Sequence, residues 1–156
     1  MGDQSTIRVA TPADAANMTR VINAAFRIAE GFFLDGNRIT QAEVEELLVK
    51  GAFLLAETGD KVDGCVYVEP RGDRSYLGLL SVDPNRQQGG LGSLLMNEAE
   101  SYCRRRGSRF MDILIVSLRE ELPAFYRKRG YVENGTTPAD LESKIPCHFI
   151  KMAKSL

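Results

Sequence analysis

The chain has 156 residues, 44% hydrophobic and 26% charged, enough to bury one core of ordinary size. Twenty Lys and Arg against 21 Asp and Glu leave a formal net charge of -1, which gives no bulk attraction to nucleic acid or to an anionic membrane. Cys65, Cys103 and Cys147 stand far apart with no C-x-x-C pair, and no apolar run is long enough to span a bilayer, so the composition predicts a reduced, cytoplasmic protein with no metal site and no membrane partner.

Ile7-Arg8-Val9-Ala10 reads as a short strand, and Thr11-Pro12-Ala13-Asp14 follows with an N-cap hydroxyl, a first-turn proline and an N3 carboxylate, so a helix opens there. Val21, Ile22, Ala25, Phe26 and Ala29 continue it as an apolar stripe that stops before Gly31. Thr40-Gln41-Ala42-Glu43 is a second capping box, with Val44, Leu47 and Leu48 turned inward and Gly51 as the stop. Between the two helices lies Gly31-Phe32-Phe33-Leu34-Asp35-Gly36-Asn37, unusually apolar for a connection: either a plug over the core or the wall of a pocket.

Three strand-like runs follow, Phe53-Leu54-Leu55-Ala56-Glu57, Gly64-Cys65-Val66-Tyr67-Val68-Glu69 and Tyr76-Leu77-Gly78-Leu79-Leu80-Ser81-Val82. Turn signals at Gly59-Asp60 and Pro70-Arg71-Gly72-Asp73 separate them, as in an antiparallel meander. Leu91, Leu94, Leu95, Glu98, Ala99, Tyr102 and Cys103 keep helical spacing up to Gly107, and a buried strand is expected over 110–116. A shorter helix over 120–129 closes at Gly130, and final strands are expected at Tyr131-Val132 and Cys147-His148-Phe149-Ile150. No composition break or internal repeat divides the chain, so strands and helices mix in one α+β or α/β domain.

The most informative stretch runs from Leu79 through Asp83-Pro84-Asn85-Arg86 and Gln87-Gln88-Gly89-Gly90-Leu91-Gly92-Ser93: a strand entering a helix through glycines. Glycines let backbone approach a ligand closely, and the unpaired first-turn amides with the helix dipole favour phosphate oxygens. A nucleotide P-loop needs Lys after its last glycine, and Gly92 is followed by Ser93-Leu94. A dinucleotide fingerprint begun at Gly90 needs glycine where Leu95 stands.

What does match is Gln87-Gln88-Gly89-Gly90-Leu91-Gly92, which resembles the acyl-CoA pyrophosphate loop of the GNAT N-acetyltransferase superfamily. Ile7-Arg8-Val9-Ala10 with Asp14 resembles that family's opening, Val82-Asp83-Pro84 its segment before the loop, and Phe125-Tyr126-Arg127-Lys128-Arg129-Gly130-Tyr131 its late helix-to-strand signature, so the likeness spans nearly the whole chain. The resemblance implies one mixed α/β domain over residues 1–156, with a mostly antiparallel central sheet splayed between strands 4 and 5 and about four flanking helices. It also implies acetyl-CoA as donor, transfer to a primary amine of a small molecule or peptide by direct attack, and a homodimer as a common assembly.

On that resemblance, Gln87, Gln88, Gly89, Gly90, Leu91, Gly92 and Ser93 hold the pyrophosphate, and a backbone amide around Leu80, Ser81 and Val82 contacts the acyl carbonyl. Tyr126 is the candidate general acid, since a phenol can protonate a departing thiolate held close to it; the alternative is a core tyrosine beside Phe125. Glu69, at a central strand end, is the first candidate base, against a plain solvated charge; His148, Glu57, Asp73 and Asp112 are weaker. Phe32 and Phe33 are candidate walls of the acceptor side. Where many relatives carry Asn seven positions before the tyrosine, this chain has Arg119, which leaves a phosphate, an acidic group or solvent as its partner.

Two readings compete: a non-catalytic acyl-CoA-binding module of the same fold, and a nucleic-acid binder using Arg104-Arg105-Arg106 and Arg127-Lys128-Arg129. Both basic clusters sit in last helical turns before glycines, where cations complement the helix dipole, so no nucleic-acid partner is expected.

Overall fold

A computed structural model describes residues 5–86, 89–139 and 141–156. β1 (Thr6–Val9) leads through a 3-10 turn (Pro12–Asp14) into α1 (Ala15–Glu30), followed by α2 (Gln41–Lys50). β2 (Ala52–Thr58), β3 (Lys61–Arg71) and β4 (Arg74–Val82) form the meander; then come α3 (Leu91–Arg105), β5 (Phe110–Val116), α4 (Leu122–Arg127), β6 (Val132–Pro138) and β7 (His148–Ser155). The strands make one seven-stranded sheet in the order β1-β2-β3-β4-β5-β7-β6. All neighbours are antiparallel except β4 and β5, as a strand, crossover helix and strand require.

Both helix starts follow their sequence signals. At Thr40 the hydroxyl accepts from the Glu43 amide at 3.1 Å, and Glu43 accepts from the Thr40 amide at 2.9 Å. At Thr11 the same box instead opens the 3-10 turn, and its Asp14 carboxylate also binds Arg8 of β1 at 2.8 Å. Meander turns fall at Gly59 and Gly72, whose φ values of +59° and +75° suit residues without a Cβ.

The period of two along the strands sorts the buried residues into two cores. Phe53 and Leu55 of β2 with Cys65 and Tyr67 of β3 face Met18, Val21 and Ile22 of α1 and Val44 of α2. Leu54, Ala56, Val66 and Val68, on the opposite face, pack with Leu95, Met96, Ala99 and Cys103 of α3. Two-sided burial explains why β2 and β3 read as continuous apolar runs.

Some elements differ from expectation. In α3 the inward stripe takes Met96 and Glu100, while Leu94 is 51% exposed. Glu100 is tolerated because the Tyr131 hydroxyl and the Lys154 ammonium bind its two oxygens at 2.9 and 2.8 Å. The late helix is only Leu122–Arg127, Tyr131 is buried ahead of its strand, and β6 runs to Pro138.

The feature that positions the site is the β4–β5 pairing. It covers three positions, Arg74 with Phe110, Ser75 with Met111 and Tyr76 with Asp112, fastened by an Arg74–Asp112 ion pair and a Ser75–Ser108 hydroxyl bond. Beyond Tyr76 the strands part, as the expected splay requires.

Candidate active site

The parting of β4 from β5 opens a cleft of about 420 Å³. Its walls are Leu77, Gly78, Leu79, Leu80 and Val82 of β4 and Ile113, Leu114, Ile115 and Val116 of β5. Gly90, Gly92 and Ser93 at the start of α3 line it at one end, the last turns of α1 and Arg38 at the other.

Within this wall β4 breaks register against β3. Cys65 faces Ser81 and Tyr67 faces Gly78, so one residue of β3 is opposed by two of β4, Leu79 and Leu80. Leu79 takes φ +55°, the only non-glycine residue with positive φ among those described. For an ordinary L-residue that conformation costs roughly 1–2 kcal/mol, and a bulge leaves its extra residue outside the ladder. The Ser81 hydroxyl donates to the Leu79 carbonyl at 2.9 Å and braces the bulge.

At the glycine end, Gly90 caps α3 with φ +73°, and a Cβ there, or at Gly89, would meet nothing within 4 Å. Open space above first-turn amides of a 15-residue helix forms a cradle for a charged group. Arg129 lies beside it. Its guanidinium stacks over the Phe125 ring at 3.6 Å, donates to the Phe125 carbonyl at 2.7 Å and reaches the Ser93 hydroxyl. Its Nε is buried with no hydrogen-bond partner among the described residues. A cation tied to neutral oxygens with an orphaned N–H suits an anion in the cradle.

Tyr126 lines the same cleft, 8% exposed, its ring held edge-on by Phe125 and Tyr131 at centroid distances of 5.0 and 5.7 Å. No described residue hydrogen-bonds its hydroxyl. Burial pushes its pKa up to about 12, keeping the phenol protonated at neutral pH. Tyr76 of β4 also lines the cleft, its ring over Gly78, and burial raises its pKa too.

Glu30, at the end of α1, is the one carboxylate among the described residues lining the cleft. Its Oε2 accepts from Arg119 at 2.9 Å, and Arg119 also donates to Glu121 at 2.8 Å. Burial raises the Glu30 pKa against the lowering pull of Arg119 and Arg38.

The residues singled out in the sequence therefore divide. Tyr126, Leu80, Val82, Gly90, Gly92 and Ser93 line the cleft. Ser81 and Leu91 are buried behind it, Gly89 is exposed on the loop, and Gln87 and Gln88 lie outside the described residues. Glu69 is not part of the cleft wall: the Tyr67 hydroxyl and Arg71 each bind one of its oxygens at 2.6 Å, and those bonds hold its pKa below the ordinary value. Phe32 is 56% exposed and Phe33 fully buried, and neither lines the cleft; Phe33 serves as the plug. Of the partners open to Arg119, the acidic group is the one found. Glu30, Arg38 and Tyr76 were not singled out, and Arg129 was named only within the late helix-to-strand signature and a basic cluster, not as a residue of the cradle. Only Glu30 carried a local signal, a carboxylate in a last helical turn where the dipole disfavours it.

A family model described as Acetyltransferase (GNAT) domain matches residues 49–133. No curated protein matches the sequence. Among solved structures, Ard1 from Thermoplasma volcanium superposes with a TM-score of 0.81 at 21% identity, covering 98% of each chain. Ribosomal-protein-alanine N-acetyltransferase from Brucella melitensis gives 0.79 at 22% identity, covering 97% of this chain and 99% of that one. The yncA protein of Salmonella typhimurium, determined with its cofactor acetyl-CoA, gives 0.78 at 21% identity, covering 99% and 95%.

Proposed function

The chain belongs to the GNAT acetyltransferase family, and from that premise we propose that it transfers an acetyl group from acetyl-CoA to a primary amine of a small molecule or peptide. The observation that carries the proposal is the cleft itself: a parted β4–β5 pair joins an open, glycine-capped helix start to a desolvated phenol with no partner among the described residues. The neighbour with acetyl-CoA and the neighbour named for acetylating alanine support a thioester donor and an amine acceptor.

The residues present fit the donor. The first-turn amides of α3 at Gly90, with Arg129 beside them, would hold the pyrophosphate, and the Arg129 Nε supplies a donor that no described residue uses. When bound, acetyl-CoA supplies a thioester: the amine nitrogen forms a C–N bond to the carbonyl carbon while the C–S bond breaks, its electron pair leaving with sulfur. The amide freed by the β4 bulge at Leu79 and Leu80 is assigned to the carbonyl oxygen. Tyr126 gives its proton to the sulfur and recovers one from solvent. Burial raises the phenol pKa to about 12, so at neutral pH Tyr126 carries the proton it is to give. Glu30 takes the proton that the amine nitrogen loses, directly or through water, in place of Glu69, whose two oxygens are bound elsewhere.

Calorimetric titration with acetyl-CoA beside ATP and NAD tests the donor assignment without knowledge of the acceptor. Selective binding of acetyl-CoA is expected; equal binding of all three, or of none, overturns it.

A further inference from the structure

The cleft runs on into a second hollow of about 530 Å³, and the two share Phe26, Glu30, Arg38 and Leu141. The charges at this junction are unevenly satisfied. Arg119 has two carboxylates, Glu30 and Glu121, and Asp35 is paired with Lys144 at 2.9 Å. Arg38 has none: its guanidinium lies over the Phe26 ring at 5.6 Å, and no described residue gives it an ion pair or hydrogen bond. Glu30 gives its Oε2 to Arg119, and no described residue hydrogen-bonds its Oε1. Glu142, exposed on the rim of the second hollow, makes no ion pair with Arg38.

Among the described residues, then, one carboxylate with an uncommitted oxygen and one guanidinium without an acid flank an opening that Phe26, Leu79 and Leu141 also line. Their fields reach each other, since Arg38 acts on Glu30 electrostatically. A ligand bearing only cations would place charge against Arg38, and a neutral amine would leave it unanswered. A molecule with an ammonium next to a carboxylate satisfies both, and a guanidinium fork matches a carboxylate in two parallel hydrogen bonds.

We propose that the acceptor is an amino acid or amino-acid-like zwitterion, its amine against Glu30 and its carboxylate on Arg38. The assignment rests on the acetyltransferase reading and narrows its substrate class.

The test compares acetylation of free L-amino acids with that of their amides and of their decarboxylated amines, by thiol release from acetyl-CoA, with acetyl-CoA affinity measured separately by calorimetry. The wild-type protein is expected to favour acid over amide by about tenfold or more in kcat/KM, a difference of about 1.4 kcal/mol. Arg38→Ala should bring the acid down to the amide, and Arg38→Lys should restore part of the preference. Arg38 is exposed, so its removal leaves the cores untouched. Equal use of acid and amide, a preference for polyamines or peptide N-termini, or a preference that survives Arg38→Ala overturns this assignment while acetyl-CoA binding keeps the enzyme reading standing. Failure to bind acetyl-CoA overturns both.

Discussion

Burial holds the Tyr126 phenol neutral, with a pKa of about 12 and no described residue bonded to its oxygen. Tyr126→Phe therefore removes no native hydrogen bond, and stability should hardly change, while kcat should fall by about a hundredfold, the usual scale of one general acid. Thiol release beside thermal unfolding checks both; unchanged turnover removes the tyrosine from the chemistry. Glu30 works with the opposite sign. Its pKa is raised on folding, mainly by burial, so the stability it contributes is full below the unfolded value and is lost as pH rises through the raised folded value. Only the ionised form accepts a proton, so kcat should climb with pH along an acid limb above the ordinary carboxylate range. Glu30→Gln should lower kcat and erase that limb. Burial is the main cause of that upward shift; Arg119 and Arg38 oppose it and Glu121 adds to it. Tyr126 and the glycines were legible because each sits in a contiguous motif that carries the family resemblance. Glu30, Arg38 and Tyr76 meet only when α1, the loop after it and β4 converge, and no spacing in the sequence records that.

At the level of elements, local chemistry served well where it decides structure. Capping at Thr40, the glycine turns of the meander and the two-sided burial of β2 and β3 are all written in neighbouring residues. It served poorly where packing decides: 120–129 holds helical residues, yet only Leu122–Arg127 is wound, and β6 is a polar edge strand whose length comes from pairing with β7. The β4 bulge was invisible for the same reason, since Leu79 adopts φ +55° at the demand of its register with β3. The start of α3 lies between these cases. Gly90 was legible as a glycine, its positive φ only as geometry. Gly90→Val puts a β-branched residue into a left-handed conformation at a cost of roughly 1–2 kcal/mol and fills the open cradle. Acetyl-CoA affinity should drop by about tenfold or more in calorimetry while circular dichroism keeps the native signature.

For the whole molecule, helices cover both faces of one sheet, with a cleft cut between two of its strands. A ligand in that cleft binds only the folded state, so acetyl-CoA at about 100 times its Kd should add about 2.7 kcal/mol of stability. For a chain of this size that is a rise in Tm of roughly 5–10 °C. A thermal shift with acetyl-CoA but not with ATP or NAD is the expected result, and equal shifts with all three would assign the cleft to phosphate in general.

Three rungs join β4 to β5, pinned by Arg74–Asp112 and Ser75–Ser108. Mechanically the sheet is two leaves on a short hinge, the meander on one side and β5–β7 on the other. Whatever enters between the leaves acts as a wedge, and the stiffness of those few rungs sets how far the leaves yield. Precision at the reacting atoms then depends on a fastening set apart from them, at the opposite end of the strands, where a loosened pin would be felt as a blunted enzyme with an intact site.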